Sequence, residues 1–146
     1  MKSVGITKPG DTPKVYPESL TPVFLDSGET ISRLPTSIFN AIVADFPGAT
    51  PDTSGSGLYF IDCSVASQSG TVDFAFGHTV IHVPYHEFIW SPESDLCCLG
   101  VAVDDSAPVL GGMYLITFRR KEYTKIKSAD SFLRAAFGKA KSKPLV

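Results

Sequence analysis

Hydrophobic positions along this chain fall in short groups separated by proline, glycine and small polar residues, a rhythm of brief strands and tight turns. Residues 4–7 alternate and predict a strand, and residues 8–22 carry four prolines and predict turns. Val23-Phe24-Leu25 is a compact apolar run ending at Asp26, the pattern of a buried strand. The period then changes. Ile38, Phe39, Ile42, Val43 and Phe46 fall at helical spacing, with Thr36 placed to cap the helix and Pro47-Gly48 to stop it. Strand periodicity returns in residues 58–61, 71–76 and 79–83, the last two joined as a hairpin through Gly77-His78. Residues 84–88 predict one helical turn, and 97–103 and 108–110 two more buried strands. The predicted body is mainly β with one clear helix, and it shows no internal repeat.

With 146 residues, 43% of them hydrophobic, the chain can bury one sizeable core. Ten Phe, five Tyr, eleven Pro and twelve Gly fit the strand-and-turn reading. No apolar run is long enough for a membrane helix, and residues 1–11 lack the apolar stretch of a signal peptide. Charge is unevenly spread: residues 1–112 hold four Lys/Arg against thirteen Asp/Glu, a net of −9. Residues 113–146 hold nine against two, a net of +7. The acidic body argues against a nucleic-acid-binding domain. Cys63, Cys97 and Cys98 allow one disulfide and leave one thiol, and without a Cys-x-x-Cys pair a structural zinc site is not expected. His78, His82 and His86 recur every fourth residue, but Pro84 and the β-type residues before it argue against a shared helical face. They read as solvated or core-edge histidines, with no metal.

Candidate chemistry sits at Asp26-Ser27-Gly28. An apolar pair before such a tripeptide anchors a strand whose end presents a carboxylate into a tight loop. Gly28 lets a substrate backbone approach, and the Ser27 hydroxyl can brace the loop. The tripeptide alone is ordinary turn chemistry.

The surroundings change that reading. The stretch from Val23 through Asp26-Ser27-Gly28-Glu29-Thr30 to Leu34-Pro35 resembles the second active-site segment of pepsin-like aspartic endopeptidases, especially fungal ones. Further along, Leu58-Tyr59-Phe60-Ile61-Asp62-Cys63 resembles the family's strand carrying the first cysteine of this lobe. Val72-Asp73-Phe74-Ala75-Phe76 and Ile81-His82-Val83-Pro84 resemble the two strands after it, Cys97 the disulfide partner, and Val109-Leu110-Gly111 the strand behind the catalytic loop. The resemblance implies one lobe, the C-terminal one, of the double-β-barrel acid protease fold, truncated at its C-terminal end. It implies Asp26 as catalytic carboxylate, Gly28, Glu29 and Thr30 as substrate contacts, Ser27 as loop brace and a Cys63–Cys97 disulfide. It also implies a secreted or vacuolar setting, no cofactor, and peptide or protein as substrate. Two carboxylates sharing a proton make such a site, one from each lobe. Asp52-Thr53-Ser54 lacks the preceding apolar strand and the glycine, so Asp26 stands alone and its partner belongs to a missing N-terminal lobe. Glu29 stands where the family usually has Ser or Thr. An ionised carboxylate there cannot donate to Asp26, and it is placed to tune specificity instead.

The resemblance runs through residues 1–111, is interrupted over 112–129, resumes in Asp130-Ser131-Phe132-Leu133-Arg134 (residues 130–137) and is lost in the tail, 138–146. The interruption reads as a retained intron: codons for Gly112-Met113-Tyr114 can contain a GTATGT splice donor, and Ala129-Asp130 the closing AG. A natural surface hairpin with a basic tip is the rival reading of that segment. For the chain as a whole, the expectation is an aspartic endopeptidase fragment, inactive alone. The alternative is a non-catalytic β domain binding peptides or a protein partner through a vestigial cleft.

Overall fold

The computed structural model describes residues 1–19 and 22–112; the segments 113–129, 130–137 and 138–146 lie outside them. In chain order the elements are β1 (Ser3–Thr7), β2 (Lys14–Ser19), β3 (Phe24–Leu25), β4 (Ser32–Leu34), α1 (Thr36–Ala44), β5 (Thr50–Pro51) and β6 (Tyr59–Phe60). A 3₁₀ turn (Cys63–Ser67), β7 (Thr71–Phe76), β8 (Thr79–Pro84), α2 (Tyr85–Phe88), β9 (Ile89–Glu93), β10 (Leu96–Leu99), β11 (Val101–Val103) and β12 (Val109–Leu110) follow. Among the described residues they form three four-stranded sheets, ordered β2-β1-β7-β8, β5-β6-β10-β9 and β11-β4-β12-β3.

The β7–β8 hairpin forms as its alternation requires. Val72, Phe74, Ile81 and Val83 are buried, and Gly77 supplies the left-handed turn conformation at φ 58°. β1 joins β7 antiparallel, aligning Val4 with Phe74 and Ile6 with Val72. Helix α1 lays Ile38, Phe39 and Ile42 into the same core as Leu34, Val101 and Leu110. Phe46 continues that core against Tyr85 and Phe88, with ring centroids 5.0 and 5.8 Å away.

Several expectations change in detail. Residues 14–19, read as turns, form edge strand β2, where Pro17 is tolerated. Thr36 opens the helix rather than capping it: Pro35 is the N-cap residue, and it makes no side-chain cap bond. The cap comes instead from Asp105, whose carboxylate accepts the Thr36 N–H and hydroxyl, both at 2.7 Å. Residues 97–103 are two strands, since Gly100 lies against the chain: a Cβ there would stand 2.1 Å from the Phe88 carbonyl. Val23 is buried, but Phe24 is 64% exposed, because successive strand residues face opposite ways.

The Cys63–Cys97 disulfide ties the 3₁₀ turn to β10, and Cys98, next in the strand, is a buried free thiol. Burial pushes that thiol up from its ordinary value. His82 Nδ1 lies 2.6 Å from Asp73 Oδ1, and His86 pairs with Glu87 at 3.6 Å. Among the described residues no three His, Cys, Asp or Glu side chains are grouped to hold a metal, and no helix is long and apolar enough to cross a membrane.

Asp45, at the end of α1, is the buried charge that sequence patterning hid. Its oxygens meet Lys8 Nζ at 2.8 Å and Lys14 Nζ at 2.7 Å, tying the helix to β2 and to the turn after β1. Burial opposes its ionisation, but the hydrogen bonds and charges of Lys14 and Lys8 outweigh it, and its carboxyl sits below its ordinary value. A folded value below the unfolded one adds stability above the unfolded value, and that stability is lost as pH falls through the folded one. Asp45→Asn is therefore expected to lower stability near neutral pH by about 1–2 kcal/mol, the lysines being half-exposed. It also makes the loss of stability below about pH 4 shallower. Urea unfolding of both forms across that range checks the sign.

Candidate functional site

Asp26 stands where β3 ends, and backbone geometry fixes it there. β3 runs parallel to β12, pairing Phe24 with Val109 and Leu25 with Leu110, while β12 lies antiparallel to β4. The Pro108 carbonyl accepts the Phe24 N–H at 2.9 Å, and the Leu110 carbonyl accepts the Asp26 N–H at 3.0 Å. The chain then leaves the sheet in a loop, re-enters as β4, and is clamped from beneath by the end of β12. The Gly112 N–H donates to the Glu29 carbonyl at 2.6 Å, and the Gly111 N–H to Ser32 Oγ at 3.2 Å. Only glycine fits position 111, where a Cβ would lie 2.4 Å from the Ile31 carbonyl oxygen and 2.9 Å from that of Glu29.

The loop puts its polar side outward. Asp26, Ser27, Gly28 and Thr30 are exposed and Glu29 is half-buried, while Ile31 and Ser32 turn into the core. Asp26 Oδ1 accepts the Gly28 N–H at 2.8 Å, an Asx turn that sets the carboxylate's orientation at the surface. Glu29 points along the loop to Arg33, with Oε2 3.6 Å from Nε. At that distance, between half-exposed side chains open to solvent, the pair contributes little to stability.

The strands on either side of this loop are tied by the 104–108 turn, which sequence reading missed: its Pro108 carbonyl accepts the Phe24 N–H. Asp104 Oδ1 gathers the Ser106 N–H and hydroxyl and the Ala107 N–H, and the Asp104 N–H donates to the Leu34 carbonyl. Asp105 caps α1 directly after β4. Backbone and hydroxyl donors from Ala107 and Ser106 hold the Asp104 carboxyl below its ordinary value, and those of Thr36 do the same for Asp105. The Ser-Ala pair after Asp104 is a weak turn signal, and nothing local pairs Asp105 with Thr36, 69 residues away.

Asp52, in the Asp52-Thr53-Ser54 turn, lies between β5 and β6 in a different sheet, and donors from Ser54 and Ser56 hold its carboxyl at about 2. Its oxygens are committed to its own turn. The Asp26 loop is thus a backbone cradle held at both ends and presenting the Asp26 carboxylate to the outside. One such group can take a proton from water, but sharing a proton needs a second carboxylate close by.

Residues 5–131 match the family model described as eukaryotic aspartyl protease. The chain is similar to candidapepsin-2 of Candida parapsilosis, 39% identical over 99 residues, which is 64% of this chain and 24% of that protein. It is also similar to aspartic proteinase 3 of Saccharomyces cerevisiae, 30% identical over 117 residues, 79% of this chain and 20% of that one. The chain therefore spans about a fifth to a quarter of these relatives. Among solved structures, the aspartic proteinase from Irpex lacteus superposes with a TM-score of 0.53 at 16% identity, covering 78% of this chain and 36% of that one. That likeness gives the fold: a pepsin-like lobe, mainly β.

Proposed function

Because this chain belongs to the eukaryotic aspartyl protease family, we propose that Asp26 is the carboxylate its lobe supplies to an aspartic endopeptidase site, completed by a second Asp from an N-terminal lobe. The observation that carries this reading is the cradle itself: an exposed carboxylate at a strand end, with its N–H held by Leu110 and its loop clamped by Gly111 and Gly112. Such preorganisation has value where a group must meet substrate in one geometry.

With a second carboxylate alongside, the two hold one proton between them, since like charges so close do not both ionise. The ionised member takes a proton from a water molecule as that water's oxygen attacks the peptide carbonyl carbon. The protonated member gives its proton to the carbonyl oxygen as charge develops there. Collapse of the tetrahedral intermediate breaks the C–N bond, and the leaving nitrogen takes up a proton. Gly28, Glu29 and Thr30 line the cleft on this side, and the substrate is a peptide or protein cut between bulky apolar residues. The Cys63–Cys97 disulfide supports an oxidising, secretory setting.

The test is a peptidase assay at acid pH on the purified chain, alone and joined to a first lobe carrying Asp-Thr-Gly. The expected result is turnover only in the joined form, abolished by a transition-state inhibitor of aspartic proteases. Turnover insensitive to that inhibitor, or a joined form that binds the inhibitor without cleaving peptides, overturns the reading; the latter is the behaviour of a peptide-binding domain.

A further inference from the structure

We propose that Ser32 is a positioning residue for the Asp26 loop, acting through its hydroxyl on Gly111. The inference rests on the reading of Asp26 given above. Ser32 is 3% exposed, at the start of β4, in a core otherwise nearly all apolar. A hydroxyl is retained in such surroundings only if it is hydrogen-bonded. Its Oγ accepts the buried Gly111 N–H at 3.2 Å, and its own N–H donates to the Gly100 carbonyl at 2.9 Å. Ser32 therefore links β4 to the end of β12 and to the residue before β11.

The consequence for Asp26 follows from what lies on each side of Gly111. The preceding residue, Leu110, gives its carbonyl to the Asp26 N–H, and the following one, Gly112, gives its N–H to the Glu29 carbonyl. Gly111 itself is packed against the Ile31 and Glu29 carbonyls so closely that no Cβ fits. One hydroxyl thus fixes the residue whose two neighbours hold the two ends of the loop. Without it the Gly111 N–H is buried without a partner, and the chain relaxes by moving toward an acceptor. Any such shift moves Leu110 and Gly112 with it, and so displaces Asp26.

Site-resolved amide exchange on the full chain tests this without reference to catalysis. In Ser32→Ala the Gly111 amide is expected to exchange about tenfold faster, with faster exchange also at Asp26 and Gly112. The Val72, Phe74 and Ile81 amides of the β7–β8 hairpin stay as they are, and Ser32→Thr, which keeps the hydroxyl, returns the loop to the parent pattern. Equal acceleration across all protected amides, or a change confined to Gly111, overturns the proposal. In the lobe-joined enzyme, Ser32→Ala is expected to lower kcat about 10- to 100-fold with KM nearly unchanged. An unchanged kcat overturns it too. Should Asp26→Asn leave turnover intact, the reading of Asp26 falls, while the exchange pattern still decides what Ser32 holds in place.

Discussion

Asp26→Asn is expected to lower the turnover of the lobe-joined enzyme by about 10³–10⁴-fold while leaving the fold essentially as stable as the parent. The two halves of that result have separate causes. The Asp26 side chain is at the surface, and its Oδ1 accepts one hydrogen bond, from the Gly28 N–H. An asparagine Oδ1 accepts the same bond, and the Leu110 carbonyl holds the backbone whatever the side chain. The stability change should therefore stay within about 0.5 kcal/mol, as for surface substitutions that keep their bonds. Chemically the replacement is severe, because an amide neither takes a proton from water nor shares one with a neighbouring carboxylate. Steady-state kinetics and thermal unfolding, run on the same preparations, check both halves together.

Replacing both Cys63 and Cys97 by serine has the largest expected effect on stability, a loss on the order of 3–4 kcal/mol in the chain-entropy model. The cross-link closes a separation of 34 residues that includes β7, β8, α2 and β9. Opening it enlarges the unfolded ensemble, and it places two serine hydroxyls where a disulfide was packed against the core. Against a total of about 5–15 kcal/mol for a domain, that loss decides whether the lobe stays folded when warmed. Cys98 does not compensate, since its side chain faces the opposite side of β10 from that of Cys97. Urea unfolding of the double variant, with the parent in parallel under oxidising and reducing conditions, gives the number. A difference under about 1 kcal/mol would show that the packing of the 3₁₀ turn holds that region without the cross-link.

Local chemistry was the part most legible from sequence. The β7–β8 hairpin, its Gly77-His78 turn and the short helix at Tyr85–Phe88 are written in the alternation and turn residues of their own segments. The Asp26 segment was legible for the same reason: an apolar strand, a turn and a helix start lie in one continuous stretch. What sequence reading missed depends on residues far apart in the chain. Asp105 meets Thr36 only because β11 runs beside β4, and Asp45 is paired by Lys8 and Lys14, which stand 31 residues or more before it in the chain. Strand β9 was hidden by Ser91-Pro92, which is acceptable at the edge of a sheet, where β9 lies. Nothing local marks Ser32; its hydroxyl meets the Gly111 amide, 79 residues later.

The claim that this lobe supplies one carboxylate of a pair is tested most directly by calorimetric titration with a transition-state inhibitor of aspartic proteases at acid pH. The lobe-joined protein is predicted to bind one inhibitor per molecule, the chain alone to bind none, and the joined Asp26→Asn variant to bind far more weakly. Equal affinity in the joined protein and its Asp26→Asn variant, or full affinity in the chain alone, would contradict it.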